Sequence, residues 1–548
     1  MQLCRATSLV RNPERCGIRS KVQLLAFVSV PVFKMVLDVL KAAQAGRCTW
    51  LRSDLTILTD RRYILFLVVR SVYNVYFHPL SAFPGPKFAA ASDIPYVHAL
   101  VRGKLPHWVS ALHLTYASSV VRISPTELSF ISSEAWKDIY SYRPGRTPFE
   151  KDLRVYGKPP NGVHSLLTAS KGDHARMRRI LDSAFSDRAY KEQEPIVVGY
   201  VDNLIMRLNE QIHDQNQSEV DLVKWYNWMS FDVVGDLSFG QSFNCLETRT
   251  YHPWVETIFG NLKGISLMGA CNRFAILRYV LPLFIPKRVT RMIDDHWAAT
   301  TANVERRLNL GTSRSDFMSP IIEQDKAEKR TLEHEEIMSN ASLFVIAGSE
   351  SIATNLSGTT YHLLKNPVAM RCIKAEVDST FTSEDEITPD SVSHLPYLIA
   401  CLSETNRIYP TALTGQAMVV PPPGDVICGQ QVPGGTGVTI NQYAAYRSPT
   451  NFSDPDHFAP ERWLDDPRYA SDDKSVFQPF SVGPRSCIGK NLGNLETRLV
   501  LARMVWNFDM ELSSETDQVW EDQEVYLSWQ KKPLIVKLRP RTRTAEES

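Results

Sequence analysis

The feature that most constrains this chain is Cys487, which sits in the run Phe480-Ser-Val-Gly483-Pro-Arg485-Ser-Cys487-Ile-Gly489. Each fixed position suits a loop wrapped around a metal-bound thiolate. A thiolate ligand must stay deprotonated, so its sulfur needs backbone N–H donors and shielding from bulk water. Gly483 and Gly489 let the main chain curl closely around that sulfur, where a side chain would collide. Phe480 can cover its other side, and Arg485 adds fixed positive charge two residues away. An isolated cysteine in a turn would be read as a small buried hydrophobe, but five residues in register point to a ligand.

Two further segments precede this loop. Glu404-Thr-Asn-Arg407 puts a carboxylate and a guanidinium three residues apart on one helical face, where they can meet. The guanidinium has donors left for a third partner near Arg462, in Phe458-Ala-Pro460-Glu461-Arg462-Trp463. In this order and with these spacings, the three segments resemble the cytochrome P450 superfamily, with its Glu-x-x-Arg helix, Pro-Glu-Arg segment and Phe-x-x-Gly-x-Arg-x-Cys-x-Gly haem loop. The resemblance implies that Cys487 ligates the iron of haem b and that Phe480, Gly483, Arg485 and Gly489 surround the cofactor. Arg485 would pair a propionate. Glu404, Arg407 and Arg462 would lock the core beneath it.

The segment Leu343-Phe-Val-Ile-Ala347-Gly348-Ser349-Glu350-Ser351 lies within a helical stretch expected from about Leu332 to Lys365, with Thr331 and acidic residues at its start and Pro367 at its end. The resemblance makes this the distal helix, with Ala347 and Gly348 over the cofactor. A glycine inside a helix costs about 1 kcal/mol relative to alanine, so Gly348 calls for a reason: room above the iron, or close packing between helices. Ser351 stands where the family usually has threonine, and Ile352 replaces a small hydroxyl residue. A serine hydroxyl donates and accepts, which a proton relay requires, but it lacks the methyl that restricts threonine's rotamer. Glu350 is the expected acid of that relay. Phe344, Ala347 and Thr411 are expected to line an apolar pocket. In Asp173-His174-Ala-Arg176-Met-Arg178-Arg179, His174 and Arg178 fall where the family has Trp-x-x-x-Arg contacting a propionate. This basic helix and Lys490 would together offer a positive face to an electron donor.

The expected fold is mainly α with small β-sheets, the cofactor lying between the long distal helix and the cysteine loop. Helical periodicity covers Ile196 to Gln211, Trp225 to Phe239, Val289 to Leu310 and Val368 to Phe381, and short β segments are expected around Val419 to Ile440 and Val525 to Leu538. The apolar stretch Ile265 to Ile285, with Leu267, Met268, Phe274, Leu277 and Phe284, reads as a substrate-access lid by resemblance and as ordinary core by composition. No linker or repeat divides the chain after residue 80, which predicts an extension over 1–80, one catalytic domain over 81–540 and a polar tail over 541–548. Sixty-one basic against 60 acidic residues leave a net charge of +1, which argues against nucleic-acid binding. The nine cysteines are scattered and contain no Cys-x-x-Cys pair, as expected on the reducing side of a membrane.

Val22 to Phe33 and Tyr63 to Val69 are apolar runs, neither a clean span of about 20 residues. Tyr76-Phe-His-Pro-Leu-Ser-Ala-Phe-Pro84-Gly85-Pro86 resembles the proline-rich hinge after the anchor of membrane-bound fungal members. The resemblance is to fungal secondary-metabolism monooxygenases such as the hydroxylases of trichothecene-type terpenoids. It implies an endoplasmic-reticulum membrane protein whose catalytic domain faces the cytosol. It also implies a lipophilic substrate, and NADPH-derived electrons delivered by NADPH-cytochrome P450 reductase, with cytochrome b5 as a second donor. A haem-thiolate isomerase or dehydratase needing no external electrons, and a non-catalytic haem sensor, remain open at this point.

Overall fold

The computed structural model describes residues 61–156, 161–213, 218–274, 287–311, 314–326, 332–516 and 519–541. The chain divides into two compact units, Met1–His78 and Pro79–Ser548. The principal helices are α1 (Arg61–Tyr76), α2 (Lys171–Leu181), α3 (Asp187–His213), α4 (Leu222–Phe239), α5 (Pro253–Asn272), α6 (Lys287–Leu310), α7 (His334–Lys365), α8 (Pro367–Thr380), α9 (Pro396–Ile408) and α10 (Lys490–Asn507). Each helix expected from periodicity is present, with ends within a few residues except for α3. That helix starts nine residues before Ile196 and runs through Pro195.

In the first unit, α1 has 16 residues and exposes Ile64, Leu65, Phe66, Leu67, Val68 and Val69. Its length of about 24 Å falls short of a hydrocarbon core of about 30 Å. Among the described residues no helix is long and apolar enough to cross a membrane. The Val22 to Phe33 run, Cys4, Cys16, Cys48 and nearly all of the 541–548 tail lie outside the described residues.

The second unit is built around α7. Its start is set by a capping box in which the Glu333 side chain accepts from the first turn while the Glu333 N–H donates to Glu336 Oε2 at 2.9 Å, so the cap is Glu333; Thr331 lies outside the described residues. At 32 residues it is about 48 Å long and mostly buried against α4, α9 and α10. A helix so enclosed must satisfy its own polar groups. Ser349, Ser351, Ser357 and Thr359 each donate to the carbonyl four residues earlier, at 2.5, 2.8, 2.6 and 2.8 Å. Gly348 has a packing reason. A Cβ there would lie 2.8 Å from Val234 Cγ2 on α4, so the glycine permits the close α4–α7 crossing.

A five-stranded sheet flanks this bundle, formed by β1 (Val120–Ser124), β2 (Glu127–Phe130), β3 (Glu150–Lys151), β4 (Met418–Val419) and β5 (Gly437–Ile440) in the order β1-β2-β5-β4-β3. Only β2 and β5 pair in parallel, with Glu127 opposite Gly437. The short strands β6 (Val525–Tyr526) and β7 (Ser528–Trp529) form a hairpin. Just past α5, Arg273 donates to Asp93 and Glu127 at 2.9 Å each and lies 3.6 Å from the centre of the Tyr96 ring. Of the lid-like stretch, Ile265 and Leu267 on α5 are exposed rather than core, while Leu277 and Phe284 lie outside the described residues.

Glu404, Arg407 and Arg462 are fully buried. Arg407 forks onto the carboxylate, Nε to Oε2 at 2.9 Å and Nη2 to Oε1 at 2.8 Å, and Arg462 Nε reaches Oε1 at 3.1 Å. The remaining Arg407 donors bond the carbonyls of Tyr446, Pro455 and His457 at 2.8, 2.6 and 3.1 Å. Glu404 also accepts from the Trp463 indole and the Ala459 N–H, at 3.0 Å each. Breaking such a network strands a charge in the core, at a cost of about 3–5 kcal/mol. Arg407→Ala is therefore expected to lower the denaturation midpoint sharply and to yield little haem-loaded protein, measured by urea unfolding and by haem absorbance per polypeptide.

Candidate active site

The loop around Cys487 holds its shape through backbone bonds. The Cys487 N–H donates to the Phe480 carbonyl at 2.9 Å and the Ser486 N–H to that of Gly483 at 3.0 Å. Gly483 has φ +75°, and a Cβ there would come within 2.2 Å of the Tyr140 carbonyl oxygen, so only glycine fits. A Cβ placed on Gly489 would have Phe185 Cε1, 4.0 Å away, as its nearest neighbour, which leaves protein-free space beside the sulfur. The Gly489 N–H donates to the Cys487 sulfur. Burial pushes the thiol up from its ordinary value, opposed by that N–H and by the positive charges of Arg178 and Lys490. Cys487 is nonetheless accessible, because its side chain opens into a cavity while protein encloses it from behind. The other cysteines in the described residues are also free thiols.

That cavity has a volume of about 420 Å³, within the roughly 300–1,000 Å³ of sites that take a cofactor or drug-sized ligand. Phe480, Cys487 and Gly489 line it from the loop side, and Phe344, Ala347, Gly348 and Ser351 from α7. Thr411 also reaches it. Phe185, Phe317 and Phe344 form one aromatic wall, with ring centres 4.6 to 5.8 Å apart. The structure thus brings the thiol and the Ser351 hydroxyl to one space from opposite elements.

Glu350 is placed differently from the expectation. Its carboxylate accepts from Ser528 Oγ on β7 at 2.6 Å and pairs with Lys531 just beyond, whose ammonium also donates to Thr354 Oγ1 at 2.9 Å. An available ammonium claims the carboxylate, so Glu350 ties α7 to the β6–β7 hairpin and does not line the cavity. Glu404, Arg407 and Arg462, grouped by resemblance with the cofactor contacts, also lie outside the cavity lining and belong to a buried network of their own.

Cationic groups gather beside the loop. Arg178 donates to the Ser486 carbonyl at 2.7 Å and to Asp182 at 2.5 Å, joining α2 to the cysteine loop. Arg485 donates to the Ala169 carbonyl at 2.8 Å, and its other terminal nitrogen, Nη1, is buried with no partner among the described residues. His174 is buried, and burial together with Arg485, Arg178 and Lys151 pushes it down to about 4, so it is neutral. Lys151 on β3 was not foreseen. It is buried, its ammonium bonds the neutral Gln416 side chain at 2.5 Å, and burial and the Arg485 charge push it down to about 7. The carboxylate paired with Arg485 is the exposed Glu150, at 3.6 Å. A buried lysine bonded only to a neutral amide and an unused guanidinium N–H suit an anionic group such as a pair of propionates.

The cytochrome P450 family model matches residues 120–538. This chain belongs to the cytochrome P450 family. It is 43% identical over 481 residues to the cytochrome P450 monooxygenase lcsI of Purpureocillium lilacinum, covering 87% of this chain and 92% of that one. It is 41% identical over 482 residues to averantin hydroxylase of Dothistroma septosporum, covering 87% and 90%, and 39% identical over 467 residues to the cytochrome P450 monooxygenase FUM2 of Gibberella moniliformis, covering 85% and 99%. The P450 is thus a monooxygenase similar to fungal enzymes, and its family implies haem iron, for which the Cys487 loop, the open space at Gly489 and the cationic cluster fit.

Sequence reasoning missed Lys151, Asn355 and Glu496. The last two left a signal: Glu496 follows Leu492 and precedes Leu499 on the apolar face of α10, and Asn355 shares the face of Ser351 one turn on. Lys151 carries a testable charge. Its ammonium is disfavoured in the folded state, so between about pH 7 and the ordinary lysine value the unfolded chain holds the extra proton and stability rises with pH. In haem-free protein the urea midpoint is expected to rise from pH 7 to pH 9, and Lys151→Met to flatten that rise.

Proposed function

We propose that this P450 inserts one oxygen atom from O2 into a lipophilic secondary metabolite, most simply as a hydroxylation, using two electrons that originate in NADPH. The observation that carries the reading is the convergence of Cys487 Sγ and Ser351 Oγ on one largely apolar cavity. One named relative is a hydroxylase and others are monooxygenases, which supports the same reaction class. The balance is substrate C–H, O2, two electrons and two protons giving C–OH and water.

Cys487 would hold the haem iron, with Phe480, Gly483 and Gly489 keeping the thiolate shielded and the macrocycle close. Arg485, Arg178, Lys151 and the neutral His174 would hold its propionates. When bound, thiolate-ligated haem supplies the O–O cleavage and the oxidant, the ligation and electron push that the general account of P450 chemistry assigns to this class. The protein's own work is positional. The aromatic wall excludes water, Ala347 and Gly348 keep α7 low over the site, and Ser351 Oγ, now donating to the Ala347 carbonyl, can turn to accept and pass a proton. Glu350, clamped by Lys531, holds α7 against the β6–β7 hairpin.

The exposed Lys171, Arg179 and Lys490 beside the thiolate loop form the face offered to an acidic reductase domain, or to cytochrome b5. The apolar surface of α1 supports residence at the endoplasmic-reticulum membrane with the catalytic unit in the cytosol.

Carbon monoxide added to the reduced protein is expected to give a strongly red-shifted Soret band that disappears in Cys487→Ala; a folded, haem-supplied protein without that band would refute the reading. Ser351→Ala is expected to retain the band while releasing more hydrogen peroxide per NADPH oxidised, read by oxygen electrode and peroxide assay. A protein forming product with no reductant consumed would instead be an isomerase.

A further inference from the structure

A second cavity, of about 170 Å³, lies where the loop after α4 meets the start of α5 and one face of α6. It shares no lining residue with the Cys487 cavity, and no carboxylate is among the described residues that line it. The loop is shaped by Gly240 and Asn244 in left-handed conformations and by Ser242 Oγ, which accepts from the Asn244 N–H at 2.9 Å. From α6, Arg306 lines the cavity half-buried, with no ion pair or hydrogen bond among the described residues. The positions that reach it along the helix, Ala302, Asn303, Asn309 and Leu310, hold no acid. Its neighbour Arg307 is instead buried and forks onto Asp316 at 2.7 and 3.1 Å. Across the cavity, His252 caps α5. Its Nδ1 accepts from the Trp254 N–H at 3.3 Å, and desolvation pushes it below the ordinary histidine value. The ring therefore carries no charge at neutral pH, and its proton sits on Nε2, which has no partner among the described residues. The Phe243 ring stands 5.5 Å from this imidazole and is braced by Trp254 at 5.4 Å. The buried Asp232 accepts from the Cys245 and Leu246 N–H groups at 2.9 and 2.8 Å and does not line the cavity.

We propose that this cavity is a binding site for a small aromatic monocarboxylate, separate from the site of oxidation. A guanidinium presents paired N–H groups that match the two oxygens of a carboxylate, and that of Arg306 is unengaged. His252 Nε2–H adds a donor from a different element. The charge count selects among anions. One cation beside a neutral imidazole balances a single negative charge, whereas a phosphate dianion would keep one charge uncompensated. The Phe243 and His252 rings offer a face on which an aryl group can stack, which an inorganic anion cannot use. The volume lies below the roughly 300–1,000 Å³ of sites that take drug-sized ligands, so the occupant is small, of the size of benzoate. Bound there, the ligand would join the loop before α5 to α6 without touching the Cys487 cavity.

The test is calorimetric titration of the holoenzyme with sodium benzoate at neutral pH and constant ionic strength, with an azole bound at the haem so that the Cys487 cavity is filled. One benzoate per protein is expected, with a Kd on the order of 1 mM. Arg306→Gln, which removes a side chain with no partner in the described protein, is expected to fold as the wild type does and to weaken benzoate at least about tenfold. His252→Asp keeps an acceptor at the α5 N-cap but puts a negative charge into the cavity, and is expected to abolish binding. Benzamide, the neutral isostere, is expected not to bind. Both variants are expected to hydroxylate at the wild-type rate, since neither residue lines the Cys487 cavity. No saturable binding by the wild type, undiminished affinity in Arg306→Gln, or benzamide binding as tightly as benzoate overturns the proposal. Inorganic phosphate binding more tightly than benzoate, and losing that affinity in Arg306→Gln, would overturn the carboxylate assignment.

Discussion

The fully buried carboxylate of Glu404 is the hub of the polar network that fixes the segment between α9 and the cysteine loop. That single group accepts from Arg407, Arg462, Trp463 and the Ala459 backbone. Through Arg407 it also reaches the carbonyls of Tyr446, Pro455 and His457. Arg462 is fixed in turn by Asp472. Two guanidinium groups and two carboxylates balance inside the core, with nearly every donor used, which makes burying four charges tolerable. Its product is geometric. Residues 446 to 472 are pinned to α9, and the loop with the left-handed Ser481 and Gly483 follows directly after them.

The two sides of the site differ in electrostatic character. Beside the loop, Lys151, Arg178 and Arg485 gather with the exposed Asp182 and Glu150 as their counter-charges, and His174 is kept neutral by burial and by these cations. Beyond Ser351 the cavity is lined by amides and hydroxyls of Asn355, Ser403 and Asn406 together with Glu496, whose carboxyl burial pushes up to about 8, and Arg498. A cationic wall holds a permanent anion well.

Much of this was legible in the primary structure. The cysteine loop, the Glu404–Arg407–Arg462 triad and α7 were readable because each depends on local spacing: turn residues, a shared helical face, or a long apolar period with acidic residues at one end. Phe344, Ala347, Ser351 and Thr411 reach the cavity as their positions on or after those elements implied. What was not legible depends on contacts distant in sequence. Lys531, 181 residues after Glu350, decides where that carboxylate points. Lys151 meets Arg485 only because β3 folds onto β4. Gly348 had two candidate reasons, and the position of Val234 supplied the one the structure displays.

The exposed side chains from Ile64 to Val69 on α1 also govern how the polypeptide behaves in a tube. Six consecutive large apolar residues facing solvent form a patch that water alone will not keep dispersed. Preparations that include α1 call for detergent micelles or lipid nanodiscs, and concentrated samples without them will form soluble aggregates that mimic higher oligomers on a sizing column. The unit boundary at His78–Pro79, followed by the prolines at 84 and 86, is the natural place to cut for crystallisation, because it removes the adhesive patch and leaves the haem-binding unit whole.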